Sequence, residues 1–461
     1  MAQRIDLAIR GGTIVTPDSF SVADLGIHEG RIVQIGGTMA AAREIDATNR
    51  LLLPGGIDMH VHLTPVETEA GGVRWADDFA SGSRAAAAGG ITTIGNITFP
   101  RHGESLLGAI GRVASEAARD SIVDFVLHPV LLDPSPERLA EIPYLAELGH
   151  TSLKIFMIIG DFDARSREYL EAMRLAGRHG LLTLIHCEDA CIIGVLTRRL
   201  VAAGRGGLAH YAESRPIYSE AVAVARATAF CEAAEAPIYI VHLSSREALD
   251  AASRARARGL RVYVETRPLY LYFTQEQLAG PDGPLYIGNP PLRGADDIAA
   301  LWSGLGSGSI QTCCTDHAPW TRDQKLDPDL TIANALPGVA DLETLMPVLY
   351  SEGVRTGRLS LQRFVEVTST NAAKLFGLFP RKGTITVGSD ADVVIWDPDR
   401  VRTVKGAEGQ SNAGYSLHEE RVVIGWPATT ISRGEIIYDK GRIVVPGGRG
   451  QLVRRGPTML L

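Results

Sequence analysis

Between residues 57 and 316 the chain alternates short β-type runs with helix-forming stretches, and this alternation constrains the fold more than any other feature. The strand candidates are residues 57–62, 91–98, 122–131, 152–157, 181–186, 237–243, 260–265 and 310–316. Stretches such as 81–88, 169–179 and 219–234 carry helix-forming composition and helical apolar spacing. Eight such units predict an α/β fold, a closed parallel (β/α)8 barrel of the TIM type. In that architecture, functional side chains gather at the carboxyl ends of the strands.

Both chain ends read differently. Residues 7–16, 23–27 and 31–35 form strand candidates separated by turns, and residues 51–56 break the pattern before the first barrel strand. At the other end, residues 383–388, 391–396, 428–432, 435–438 and 442–445 are strand candidates. Neither end has enough strands to bury a core alone. The expected organisation is a composite β-sandwich domain from residues 1–54 and 381–461, with the barrel, residues 55–380, between them.

Six side chains stand at the ends of the barrel runs: His60, His62, Lys154, His186, His242 and Asp316. Alternation along a strand points His60 and His62 to one side. A lone histidine on an apolar run is ordinarily packing, but two at this spacing, just after Asp58, read as metal ligands. Imidazole is a common ligand for zinc and similar ions, and a neighbouring carboxylate fixes its tautomer. Asp58 is a candidate for that supporting role.

Lys154 is the least ordinary member, because an ammonium inside a barrel is costly unless paired. Its plain reading is an ion pair with a strand-end carboxylate. Its sharper reading is covalent: a neutral amine adds carbon dioxide and becomes a carbamate, an anion with two oxygens that bridges two cations. No glutamate is read at a matching strand end to supply that bridge. His186 and His242 then serve the second ion. Asp316 is a ligand or a base, since two metals lower the pKa of a bridging water and a carboxylate takes its proton. The same group later protonates the leaving nitrogen, as amide cleavage requires. His28, His102, His128, His150, His179, His210 and His418 lack a ligand-like context and read as structural or surface residues. His317, next to Asp316, points the other way and reads as packing or support.

The bulk properties are those of a soluble globular protein, with 45% hydrophobic and 21% charged residues. A formal net charge of -7 gives no reason to expect nucleic acid or an anionic membrane as partner. Residues 1–10 alternate as a strand does and lack the apolar core of a signal peptide. No run of about eighteen apolar residues suits a bilayer. Five cysteines without a pair of CxxC motifs read as reduced thiols of a cytoplasmic protein rather than disulfides or a zinc–thiolate site.

With these residues in place, the sequence resembles the amidohydrolase superfamily, and within it the hydantoinase and dihydropyrimidinase branch. The resemblance runs through Leu53-Pro-Gly-Gly-Ile-Asp-Met-His-Val-His62, Ser152-Leu-Lys-Ile-Phe-Met157, Val241-His-Leu-Ser-Ser245, Asn289-Pro-Pro-Leu-Arg293, Thr315-Asp-His-Ala-Pro319 and Asn334-Ala-Leu-Pro-Gly338. It implies a cytosolic homo-oligomer, a tetramer or dimer, that opens a cyclic amide or imide ring with two Zn2+ ions; Mn2+ or Co2+ also suit such ligands. It further implies that His60 and His62 hold the more buried ion, His186 and His242 the more exposed one, and carboxylated Lys154 bridges them. Asp316 would bind the buried ion and shuttle the proton, and backbone groups at Asn289 and Asn334 would grip the ring amide.

Two departures concern the substrate. Ile159 stands where the branch often carries a tyrosine that donates to the developing oxyanion, and it resembles a subgroup that includes L-selective hydantoinases. Residues 63–72 also depart from the usual form. Dihydroorotase is the nearest catalytic alternative, but its first motif continues with a carboxylate-gripping arginine, and Thr64 stands there. Allantoinase is a second alternative. A non-catalytic dihydropyrimidinase-related scaffold, of a different class, is disfavoured because all six ligand positions are filled.

Overall fold

The computed structural model describes residues 5–66, 72–159, 161–459 and 461. The first four residues of the expected N-terminal strand, and residues 67–71 of the divergent stretch after His62, lie outside them. The N-terminal segment forms β1 (Leu7–Val15), β2 (Phe20–His28), β3 (Arg31–Ile35), β4 (Arg43–Asp46) and β5 (Leu51–Pro54). The last of these corrects the expectation that residues 51–56 interrupt the strand pattern. Three consecutive leucines favour a buried extended run, and Pro54 is tolerated at its very end.

Eight strands follow, in alternation with helices: β6 (Gly56–Val61), β7 (Ile91–Thr98), β8 (Asp124–Pro129), β9 (Ser152–Phe156), β10 (Leu182–His186), β11 (Ile238–Ile240), β12 (Val262–Thr266) and β13 (Thr312–Cys313). They form two parallel sheets, β6-β7-β8 and β13-β12-β11-β10-β9. A parallel bridge pairs Val130 with Lys154, and another pairs Val61 with His317. The sheets therefore meet at both edges, where Leu131 N donates to Lys154 O (2.9 Å) and His62 N to His317 O (2.8 Å). Every residue of these strands is buried, as expected when helices cover one face and the other is packed inside. The helices Phe79–Ala88, Ser166–Arg178 and Ile217–Ala234 fall on the expected stretches.

The C-terminal segment adds β14 (Val393–Thr403), β15 (Val422–Ser432), β16 (Glu435–Asp439) and β17 (Arg442–Ile443). Antiparallel pairing of β5 with β14 joins both termini in one nine-stranded sheet. Residues 383–388, expected as a strand, form turns, with Gly383 and Gly388 at φ +82° and +95°. Those left-handed angles suit glycine and break an extended run.

A buried ionic cluster ties the terminal sheet to β8. Lys382 Nζ lies 2.7 Å from Asp124, 2.6 Å from Asp392 and 3.4 Å from Asp390, and Arg433 Nε lies 3.1 Å from Asp124. The three carboxylates are close enough together to suggest a metal, but the ammonium already sits among them. The cluster is an internal ion network.

Candidate metal centre

His60 and His62 leave the end of β6 on one side, as alternation requires, and their ring centroids are 5.5 Å apart. Asp58 contacts neither ring. Its carboxylate accepts from Thr315 Oγ1 (2.6 Å), Thr315 N (3.1 Å) and His60 N (3.1 Å), which ties β6 to the segment after β13. The ring partner is Glu265, at the end of β12: His60 Nδ1 donates to its Oε1 at 2.8 Å. That contact leaves His60 Nε2 as the free, lone-pair-bearing atom. Glu265 also accepts from His242 N (2.9 Å) and Tyr239 Oη (2.9 Å). A glutamate does therefore stand at a strand end, contrary to the sequence reading. It cannot serve as the bridging anion because its oxygens are already committed.

Asp316 follows β13 with a backbone φ of +50°, and His242 follows β11 at +38°. Such angles are strained for residues with a Cβ and recur where a fold holds functional groups. Asp316 Oδ1 lies 3.0 Å from His62 Nε2 and 3.3 Å from His60 Nε2. Its Oδ2 accepts from the fully buried Arg267 Nη1 at 2.7 Å. Burial alone would raise this carboxyl, but Arg267 and the two imidazoles outweigh burial and hold it well below the usual carboxylate range. His60, His62 and Asp316 bring three potential ligand atoms within 4.8 Å of one another.

His186 ends β10, and its Nε2 donates to Glu188 Oε2 at 2.8 Å, leaving Nδ1 free. Glu188 in turn accepts from Arg215 at 2.8 Å. The His186 and His242 ring centroids are 4.6 Å apart, and those of His242 and His60 5.4 Å. Burial lowers the pKa of His62, His186 and His242 and so favours the neutral form that ligates cations.

Lys154, on β9, is fully buried, and among the described residues its Nζ has no hydrogen-bond partner. The ion-pair reading is therefore absent from the structure. Burial pushes its amine down to about 8, against the opposing pull of Glu265 and Asp316. A neutral amine is thus accessible close to physiological pH, and that is the form that reacts with carbon dioxide. An orphaned buried amine beside four imidazoles and a carboxylate is a donor set that fits two divalent ions.

The four imidazoles and Asp316, though not Lys154, line a cavity of about 330 Å³. Its walls carry Trp75, Phe99, Phe156, Ile158 and Ile159, with Arg215, Asn289, Pro337 and Gly338 around them. Ile159 is 41% exposed and faces this space. Asn289 lines it too, and its side-chain oxygen accepts from Tyr211 Oη. Asn334 does not line it: the residue is exposed, and its carboxamide accepts from Thr331 Oγ1 at 2.7 Å. Pro337 and Gly338 of the same segment form the wall instead. His317 points away as expected, with Nε2 donating to Asp77 at 2.9 Å and Nδ1 accepting from Asp341 N at 3.2 Å. No other histidine lines the cavity among the described residues.

A family model for amidohydrolases matches residues 51–437. The chain belongs to the amidohydrolase family. Within it the chain falls in the hydantoinase branch, being 40% identical over 459 residues to the D-hydantoinase of Rhizobium radiobacter, with 98% of this chain and 99% of that relative covered. Among solved structures, it matches a D-hydantoinase from Bacillus sp. AR9 at 38% identity and a TM-score of 0.95, covering 99% of this chain and 100% of that one. It also matches the L-hydantoinase (dihydropyrimidinase) of Arthrobacter aurescens at 30% identity and a TM-score of 0.87, covering 98% and 100%. Relatives of both enantiomeric descriptions thus share the fold.

Proposed function

We propose that this chain is a binuclear-metal cyclic amidohydrolase that opens the ring C–N amide bond of hydantoins, or of related cyclic imides and dihydropyrimidines. The observation that carries the reading is the convergence of four imidazoles and one carboxylate on one cavity, with the buried amine of Lys154 lacking a hydrogen-bond partner among the described residues. We read the two parallel sheets, bridged at both edges, as a closed (β/α)8 barrel over residues 55–380. Residues 1–54 and 381–461 then make the composite β-sandwich domain.

In this reading His60, His62 and Asp316 hold one divalent ion, zinc being the expected metal, and His186 and His242 hold the other. Lys154, carboxylated on Nζ, bridges them. The bound metals supply an activated water at neutral pH and polarise the scissile carbonyl. Glu265 and Glu188 fix the tautomers of His60 and His186. Arg267 donates to one oxygen of Asp316 and keeps the carboxylate ionised; the other, beside His60 and His62, would face the ion and take the proton that passes to the departing ring nitrogen.

The cavity walls indicate the substrate class. Ile159 offers no donor to an oxyanion, and Phe99, Phe156, Ile158 and Ile159 make an apolar surface. Arg215, a cation of the lining, already pairs with Glu188, which offsets its charge towards a substrate carboxylate. Hydantoins with a 5-alkyl or 5-aryl group are therefore expected to exceed dihydroorotate and allantoin in kcat/KM by at least about tenfold, the scale of discrimination by a few apolar contacts. The test is turnover of all of them by one zinc-loaded preparation. A preference for dihydroorotate or allantoin would reject the assignment and leave Ile159 as packing.

A homo-oligomer, tetramer or dimer, completes the proposal. Tyr218 and Val222 stand exposed one turn apart on the helix Ile217–Ala234, an apolar face suited to burial against a second copy. Light scattering at micromolar concentration should give a multiple of the chain mass, and a monomer would contradict it.

A further inference from the structure

Lys325 is fully buried, like Lys154 and Lys382, and it lies outside the candidate metal centre. Among the described residues no carboxylate pairs with it. Its ammonium donates to three backbone carbonyls: Ile287 (2.8 Å), Leu336 (2.9 Å) and Gly338 (2.9 Å). Burial pulls the amine well below the ordinary lysine value, but three carbonyl acceptors within 2.9 Å call for three protons, and the group is read as the ammonium. Trp320 Nε1 donates to the remaining carbonyl of the turn, that of Pro337, at 2.9 Å. Every carbonyl from Leu336 to Gly338 is thus held by a side chain from the segment just after Asp316.

The two segments so pinned are those that furnish one cavity wall, Asn289 on one side and Pro337 and Gly338 on the other. They are also bonded to each other, Gly338 N donating to Ile287 O at 3.0 Å. Gly338 has φ +126°, and a Cβ there would stand 2.2 Å from Ala318 O, so this wall packs directly against the strand end that carries Asp316. Stability gives no reason for a charge at this position. An isolated buried ammonium is costly, and an apolar side chain of similar length fills the space without that desolvation. What the ammonium adds is direction, since it orients three carbonyls at once.

We propose that Lys325 is a positioning residue that sets the substrate-gripping wall of the cavity. The inference rests on the reading of that cavity as the substrate site. Lys325→Met should raise KM for a 5-substituted hydantoin about tenfold, the scale of one hydrogen bond to a charged group. kcat and metal content should stay within about threefold of wild type, since no proton of Lys325 reaches the metal ligands. Lys325→Arg, which keeps the charge and the donors, should recover part of the loss. An unchanged KM in a folded, metal-replete Lys325→Met enzyme overturns the proposal, as does a fall in kcat with KM intact.

If Lys325→Met does not fold, the claim is read on the wild-type enzyme by amide hydrogen exchange with the ring-opened product at saturation. Segments 287–289 and 336–339 should gain more protection than segment 156–159 of the opposite wall. No gain there overturns the proposal. A wild-type enzyme that opens no hydantoin would instead defeat the function proposed above, so the two failures are distinguishable.

Discussion

Asp316→Asn should reduce turnover of a 5-substituted hydantoin by at least about a hundredfold, the usual scale for loss of general acid–base catalysis. The substitution keeps the shape of the side chain and leaves an oxygen to accept from Arg267, whose Nη1 stands 2.7 Å from Oδ2 in the native chain. It removes the ability to take a proton. In the native structure the arginine and the neighbouring imidazoles keep this carboxyl ionised despite its burial. The carboxamide has no such charge to draw on, and the leaving nitrogen then departs unprotonated. Turnover, KM and metal content are to be measured on the same sample, so that loss of the base is separated from loss of a ligand. Wild-type-like turnover in a metal-replete Asp316→Asn enzyme would reject the role.

The parts of this molecule that were legible in the sequence are those with strong local signals. Runs of β-branched and aliphatic residues mark buried parallel strands, and all eight expected runs correspond to strands within a few residues. The candidate ligand side chains stood out because imidazole pairs and a lysine are unusual on apolar runs, although Lys154 lies inside β9 and not at its end. Ile159 and Asn289 also reach the cavity.

What escaped was set by contacts between distant segments. Glu265 ends a strand that was itself anticipated, yet only the fold reveals that it reaches His60, 205 positions earlier. Glu188 stands two residues after His186, and that spacing was a usable sign of a supporting carboxylate. Arg267 and Arg215 gave no local signal, because each is significant only through the carboxylate it meets. The triple leucine of β5 does not read as a strand from sequence because Pro54-Gly-Gly56 follows it directly. Its identity as a strand depends on β14, contributed from the far end of the chain. Asn334 carried the expected motif, but the turn closes on Thr331 and presents Pro337 and Gly338 to the cavity in its place.

Lys154 bears most of the weight of the account. Under the proposed function, four imidazoles and one carboxylate would leave two divalent cations with a large uncompensated charge in a buried site, and a bridging anion would be needed to hold both ions. Glu265 is committed to His60, His242 and Tyr239, and Asp58 to Thr315 and the backbone of His60. The amine of Lys154, buried, without a hydrogen-bond partner among the described residues and brought down to about 8, would be the source of that anion on taking up carbon dioxide. Lys154→Ala should therefore lose most of its metal, and with it the activity. The decisive measurement is metal content per chain in wild type and Lys154→Ala, purified side by side and loaded with zinc in the presence of bicarbonate. About two ions per wild-type chain and well under one in the variant are predicted, the bridge being a ligand to both. Full metal content in a folded Lys154→Ala protein would contradict the binuclear, carbamate-bridged centre.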